Sequence, residues 1–243
     1  MHLIQNNFGL TLKKTGYSTM NKLPMFQEIT KFRKAITRWF RKSGRRYPWR
    51  DAEDPFRILV AEMMLQRTKA DQVVPVYQNF FSNFKTPSDV ATVNMRKLNQ
   101  ILYPLGLRWR IKRFKEVSQA ILKHFGGRVP ETRDEISRLP GVGDYVAGIV
   151  LSIAFNKQEW IVDSNVVRVF KRYFGISTSK EGRRDKHVVG IAKVYAACEN
   201  PKKANLALLD FAALICTPKS PEHNICVLRS SCVHFEKEVM KEL

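Results

Sequence analysis

The sequence predicts an all-α protein, and three observations predict it. Apolar residues recur with helical period almost from end to end. No segment of convincing period-two alternation competes with them. The tight turn Gly141-Val142-Gly143 falls between two such helical segments. Taken in order, Pro24 opens a first helix whose stripe is Ile29, Phe32, Ile36, Trp39 and Phe40. Pro55 opens a second, with Phe56, Leu59, Val60, Met63 and Met64 at i, i+3, i+4, i+7 and i+8, running into Thr68. Val73, Val76, Tyr77, Phe80 and Phe81 mark a third. Shorter helices are expected near 88–94, 95–103 and 110–125, the last stopped by Gly126-Gly127. Two helices, 131–139 and 144–155, flank the glycine turn. Val166, Val169, Phe170, Tyr173 and Phe174 line the helix after Asp163, and Leu206 to Ile215 reads as a buried helix.

With 243 residues and 44% hydrophobic content, the chain can bury a substantial core and is not disordered. It carries 42 basic against 22 acidic residues, a formal charge of +20, which points to a polyanionic partner, nucleic acid first. Residues 1–50 hold 12 Lys/Arg and one acid, Glu28, so residues 1–24 are expected to form a flexible basic arm, with Met20 as an alternative start. No apolar run of membrane-spanning length occurs, and the N-terminus lacks the pattern of a secretory leader. No membrane partner is expected. The expected location is the cytoplasm or nucleoid in a prokaryote, the nucleus or an organelle in a eukaryote. Of four cysteines, Cys216, Cys226 and Cys232 crowd near the C-terminus, which argues for a metal site in a reducing compartment. Cys198 lies outside that cluster and is expected to be buried.

Four places carry chemistry. In Leu139-Pro140-Gly141-Val142-Gly143, backbone amides at the start of the following helix can hold a phosphate, aided by the helix dipole. Asp163 immediately precedes an amphipathic helix, where it caps; a capping carboxylate facing a cleft can also stabilise positive charge on a sugar or orient a water. Glu62 stands inside the apolar run Ile58 to Leu65, either facing solvent or embedded as a functional acid whose raised pKa would suit proton donation. Gln66 and Arg67 follow at the helix end, where they can reach into DNA. Tyr47-Pro48-Trp49-Arg50 reads first as an aromatic core anchor, with Arg50 a candidate DNA contact, and Trp109 lies between Arg108 and Arg110 near solvent or DNA.

These residues together resemble the helix-hairpin-helix superfamily of DNA glycosylases, which includes endonuclease III and the adenine glycosylases. The resemblance runs from about Tyr47 to Cys232 through Tyr-Pro-Trp-Arg (47–50), Glu62 to Thr68, Gly126 to Pro130, Leu139 to Gly143 and Val162 to Val169. It implies a helical lobe over 56–159 carrying the hairpin, and a second built from 25–55 plus 160–243 with a C-terminal Cys/His metal-cluster loop. It implies that Asp163 stabilises an oxocarbenium-like sugar or activates water and that Glu62 contacts the flipped base. Bifunctional members carry a Schiff-base lysine two residues after the second hairpin glycine. Tyr145 stands there, and a phenol cannot form an imine, so base removal by water without efficient strand cleavage is implied.

Ser164-Asn165 after Asp163, the segments Arg172–Gly175 and Leu209–Lys219, and the short run after Cys232 lean toward enzymes that remove thymine or uracil mispaired with guanine. Adenine excision opposite guanine or 8-oxoguanine is the alternative, and a non-catalytic DNA-binding protein of this fold a third. The implied partner is double-stranded DNA with a mismatched or damaged base, bound by a monomer through Arg50, Gln66, Arg67, Leu139, Gly141, Val142 and Gly143. Iron–sulfur members carry four cysteines where this chain reads Cys216-x6-His223-x2-Cys226-x5-Cys232. The resemblance therefore implies a [4Fe–4S] cluster with Cys3His ligation, against zinc or no metal as alternatives. Lys219 and Arg229 on that loop are candidate DNA contacts.

Overall fold

The computed structural model describes residues 23–106 and 108–239, and among them all regular structure is helical. The expected basic arm lies, as far as residue 22, outside the described residues. Helix α1 (Phe26–Ser43) buries Ile29, Phe32 and Ile36, and its Glu28 carboxylate accepts the Met25 N–H at 2.6 Å. Helix α2 (Pro55–Leu65) begins on Asp54, whose carboxylate accepts the Phe56 N–H at 2.9 Å, with Pro55 in the first turn where its missing N–H costs nothing. It is buried on nearly every side from Phe56 to Met64. It ends at Leu65, short of the expected Thr68, because Gln66 turns out of the helical region (ψ 109°) and Arg67 adopts a left-handed φ of 57°.

Helices α3 (Ala70–Asn83), α4 (Pro87–Thr92), α5 (Met95–Leu102) and α6 (Ile111–Phe125) follow, α6 closing on Gly126 at φ 58°. The helix expected over 131–139 contracts to α7 (Arg133–Ser137); the turn then leads into α8 (Asp144–Ala154). Helix α9 (Ser164–Phe174) starts on Asp163. Then come α10 (Lys186–Ala196), α11 (Pro201–Leu214) and α12 (Val233–Val239); α10 and α12 have no counterpart in the sequence reading.

The buried side chains form two cores. One runs from Trp49 to Ile161 with Leu206 added; the other joins Ile29, Phe32 and Ile36 to residues from Val162 to Leu228. Phe32 anchors the second through ring contacts with Phe170, Tyr173, Phe174 and Tyr195 at 4.8–5.9 Å. Between the cores stands Asp210 on α11, with no exposure. It accepts two hydrogen bonds from the Arg50 guanidinium (2.7 and 2.8 Å), one from Arg45 Nε and one from the Arg45 backbone N–H. Helix α8 passes so close to the backbone at Trp160 that only glycine fits at 148: a Cβ there would lie 2.1 Å from the Trp160 carbonyl oxygen.

Candidate active site and nucleic-acid interface

Glu62 is 6% exposed, on the α2 face turned into the first core. Burial pushes its pKa up to about 7; Arg50 opposes the shift and the charge of Asp163 adds to it. An embedded acid, not a solvent-facing one, is what the apolar run encloses. Tyr145 opens α8 opposite these groups, and burial, then Glu62, then Asp163, raises its pKa well above the ordinary phenol value. Burial thus favours the neutral phenol of Tyr145 at neutral pH. Glu62, Tyr145 and Asp163, singled out separately in the sequence, are within one another's electrostatic reach.

The Asp163 side chain is fixed on both oxygens. Its Oδ1 accepts the N–H groups of Asn165 (2.9 Å) and Val166 (2.8 Å), and its Oδ2 accepts Asn165 Nδ2 at 2.7 Å. Asn165 Oδ1 in turn accepts Arg168 Nη1 at 2.8 Å, while Arg168 donates to the carbonyls of Cys216 (3.0 Å) and Ala212 (2.8 Å). Capping thus anchors the aspartate, and a side-chain chain of hydrogen bonds ties its orientation to α11 and the cysteine loop. Arg168 was not singled out in the sequence, since nothing local marks an arginine two of whose acceptors lie more than forty residues away.

The glycine turn presents an exposed rim. Gly141 (φ 77°) and Gly143 are exposed, and no backbone hydrogen bond among the described residues uses either N–H. Two expectations need correction here. The Val142 N–H is spent within the turn, donating to the Leu139 carbonyl at 3.0 Å, and the Leu139 and Val142 side chains are buried. They build the turn, and the outward donors are those of the glycines. Arg50 is corrected too: both its Nη atoms are committed to buried Asp210, so it cannot face DNA. Trp49 is buried beneath Tyr47, with which it stacks at 4.9 Å, as an aromatic anchor should be.

Beside the hairpin rim lie Gln66 and Arg67. Gln66 Nε2 donates to the Gly141 carbonyl at 3.4 Å, and Arg67 is exposed in a left-handed conformation that costs a non-glycine residue about 1 kcal/mol. Trp109, 52% exposed, carries the Arg113 guanidinium over its ring at 4.7 Å. Arg113 also fills the space beside Gly141, where a Cβ would fall 2.8 Å from its Cδ. Hairpin, turn and tryptophan thus form one basic and aromatic surface.

In the C-terminal loop, Cys216, His223, Cys226 and Cys232 line one cavity with His234, Arg172 and apolar residues from α9 and α11. Burial raises the thiol pKa of Cys226 and Cys232, and Arg172 Nη1 approaches Cys216 Sγ at 3.6 Å. His223 Nε2 lies 2.7 Å from the Glu238 carboxylate, whose other oxygen meets His234 Nε2 at 3.0 Å. Among the described residues, no three such side chains converge as a single metal ion requires. Cys198 is half-buried rather than buried, and Lys219 and Arg229 are exposed.

Comparison with known proteins agrees with this picture. Residues 60–210 match the family model described as HhH-GPD superfamily base excision DNA repair protein. The chain is 37% identical over 221 residues to a thymine/uracil-DNA glycosylase of Pyrobaculum aerophilum, covering 88% of this chain and 96% of that one. It is 30% identical to an adenine DNA glycosylase of Rattus norvegicus, covering 91% of this chain but 45% of that one. A solved thermostable thymine-DNA glycosylase superposes with a TM-score of 0.82 at 33% identity, covering 87% of this chain and 98% of that one.

Proposed function

This chain belongs to the HhH-GPD superfamily of base excision DNA repair proteins, and we propose that it hydrolyses the N-glycosidic bond of thymine or uracil mispaired with guanine. The observation that carries the chemistry is a buried Glu62, with its pKa near 7, in electrostatic reach of Asp163 across a tyrosine. With a pKa of about 7, Glu62 is protonated in about half of the molecules at neutral pH, and that form gives its proton to the departing base. Asp163, oriented by three donors, sets its carboxylate against the positive charge that develops on the sugar and the water that ends the reaction. Tyr145 packs against base or sugar and offers no amine, so no imine forms and the strand is left intact. The thymine/uracil preference rests on relatives of which this chain spans nearly the whole length.

Duplex DNA is the partner. The Gly141 and Gly143 amides take a backbone phosphate, and Gln66 and Arg67 enter the gap left by the extruded nucleotide. In the C-terminal loop, Cys216, Cys226 and Cys232 with His223 would hold a [4Fe–4S] cluster. The donor chemistry fits: three thiols and an imidazole line one cavity, with the Arg172 guanidinium 3.6 Å from Cys216 Sγ. A lone zinc ion would need all four donors within about 2.3 Å of one point. A [4Fe–4S] cluster would be held by the three thiols and the imidazole of that one cavity. When bound, it supplies a cross-link for a loop whose Lys219 and Arg229 reach DNA.

Duplexes carrying G·T, G·U or adenine opposite 8-oxoguanine test the assignment in single turnover. We expect abasic product from the first two, strands uncut until alkali is added, and none from the third. Asp163→Asn should lower excision at least 10³-fold with duplex affinity within threefold. Retained turnover in that variant, or adenine release alone, would overturn the assignment.

A further inference from the structure

Among the described residues, Arg110 is a buried cation that forms no ion pair with a carboxylate. It is 2% exposed, burial pushes its pKa down, and its Nε is buried without a partner. The remaining donors go to neutral oxygens on two separate segments. Nη1 donates to the Gln66 carbonyl; Nη2 donates to Thr68 Oγ1 at 2.7 Å and to the Leu105 carbonyl at 3.0 Å. Thr68 Oγ1 lies 3.4 Å from that same Leu105 carbonyl. The two acceptors on the first segment bracket Arg67, the exposed residue in left-handed conformation.

We propose that Arg110 is a positioning residue: its guanidinium fork locks the Gln66–Thr68 turn in a strained conformation and ties it to the Leu105 carbonyl. Gln66 and Arg67 are thereby held ready for the space vacated when a nucleotide leaves the duplex. Only a planar fork with several donors reaches both sides of the turn and the neighbouring segment at once. Burying such a cation without an anion is costly, and an apolar side chain of similar length would fill the volume without that cost. The cost is matched instead by geometry at a place the chemistry does not touch. Binding a turn already in its final shape avoids ordering it during extrusion. Because Gln66 also contacts Gly141 and Arg113 bridges Gly141 to Trp109, one buried guanidinium organises the junction of turn, hairpin and tryptophan.

The inference rests on the glycosylase reading, and the test separates the two. Arg110→Lys and Arg110→Met are compared with the parent protein for single-turnover uracil excision from a G·U duplex and from the same strand unpaired. Fluorescence of 2-aminopurine beside the target base reports extrusion without chemistry, and thermal unfolding reports folding. A parent protein that releases no uracil from the duplex refutes the glycosylase reading, not the role of Arg110. With an active parent, folded variants should lose at least tenfold more rate on the duplex than on the unpaired strand. The 2-aminopurine rise should be slowed in step, and lysine should not rescue it, since it keeps charge but not the fork. Equal losses on both substrates would reduce Arg110 to a fold-stabilising residue. Unchanged duplex excision and extrusion would remove the proposal altogether.

Discussion

Glu62 shows how a single burial sets both chemistry and stability. An unfolded glutamate titrates near 4.3, whereas this one is raised to about 7. Between those values the folded state holds a proton that the unfolded state has lost, so the contribution of Glu62 to stability is most favourable below pH 4 and falls as pH rises through 7, by about 4 kcal/mol in all. Glu62→Gln removes that dependence. Relative to the parent, its melting temperature should rise between pH 5 and pH 8, and excision should fall at least 10²-fold. The parent's excision rate should decline above pH 7 as the acid is lost. Thermal unfolding and single-turnover rates across pH check both; a difference in melting temperature independent of pH would refute the assignment. The anomaly of one carboxylate among hydrophobes was legible in the sequence, and so was the capping position of Asp163. The support behind Asn165 was not, because the carbonyls that hold Arg168 belong to α11 and the cysteine loop, far away in sequence.

Helices were legible where an apolar stripe and a stop or start residue coincided. Pro55 and Asp54 start α2, and Gly126 ends α6. Where those marks weakened, so did the reading. Helix α10 carries Gly190 inside it, which lowers helix propensity, and α12 is a seven-residue helix that is largely polar. The end of α2 was placed too late because Gln66-Arg67-Thr68 has no glycine or proline to announce a turn. That turn is imposed by Arg110 from outside. Gly148 gave no local sign of its importance, since helix glycines are ordinarily a small cost. Gly148→Ala should push α8 off the Trp160 carbonyl and destabilise by about 3 kcal/mol, lowering the melting temperature by roughly 6–12 °C. Calorimetry checks this; a loss under 1 kcal/mol would mean that the segment at 160 yields easily.

At the scale of the whole molecule, the basic balance and helical class were plain from composition and period. How the two cores meet was not, because it depends on side chains far apart in sequence. The cysteine cavity borders the second core through Val169, Phe211 and Ile215, so its contents bear on that core's stability. Protein purified without oxygen should show a broad visible absorption near 400 nm and about four irons per chain. Stripping the metal should lower the melting temperature by several degrees, and Cys226→Ser should reproduce the loss. Zinc in place of iron, or a melting temperature indifferent to metal, would refute the cluster. Asp210 has a further consequence for how such a chain can be divided or rebuilt. It sits on α11, in the run that feeds both cores, while the two arginines that neutralise it come from the stretch before α2. A fragment stopping short of α11 strands two arginines without their acceptor. One lacking residues 45–50 leaves a bare buried anion. Neither core can be lifted out as a free-standing module, so grafting or splitting strategies for this fold must carry that three-residue knot intact.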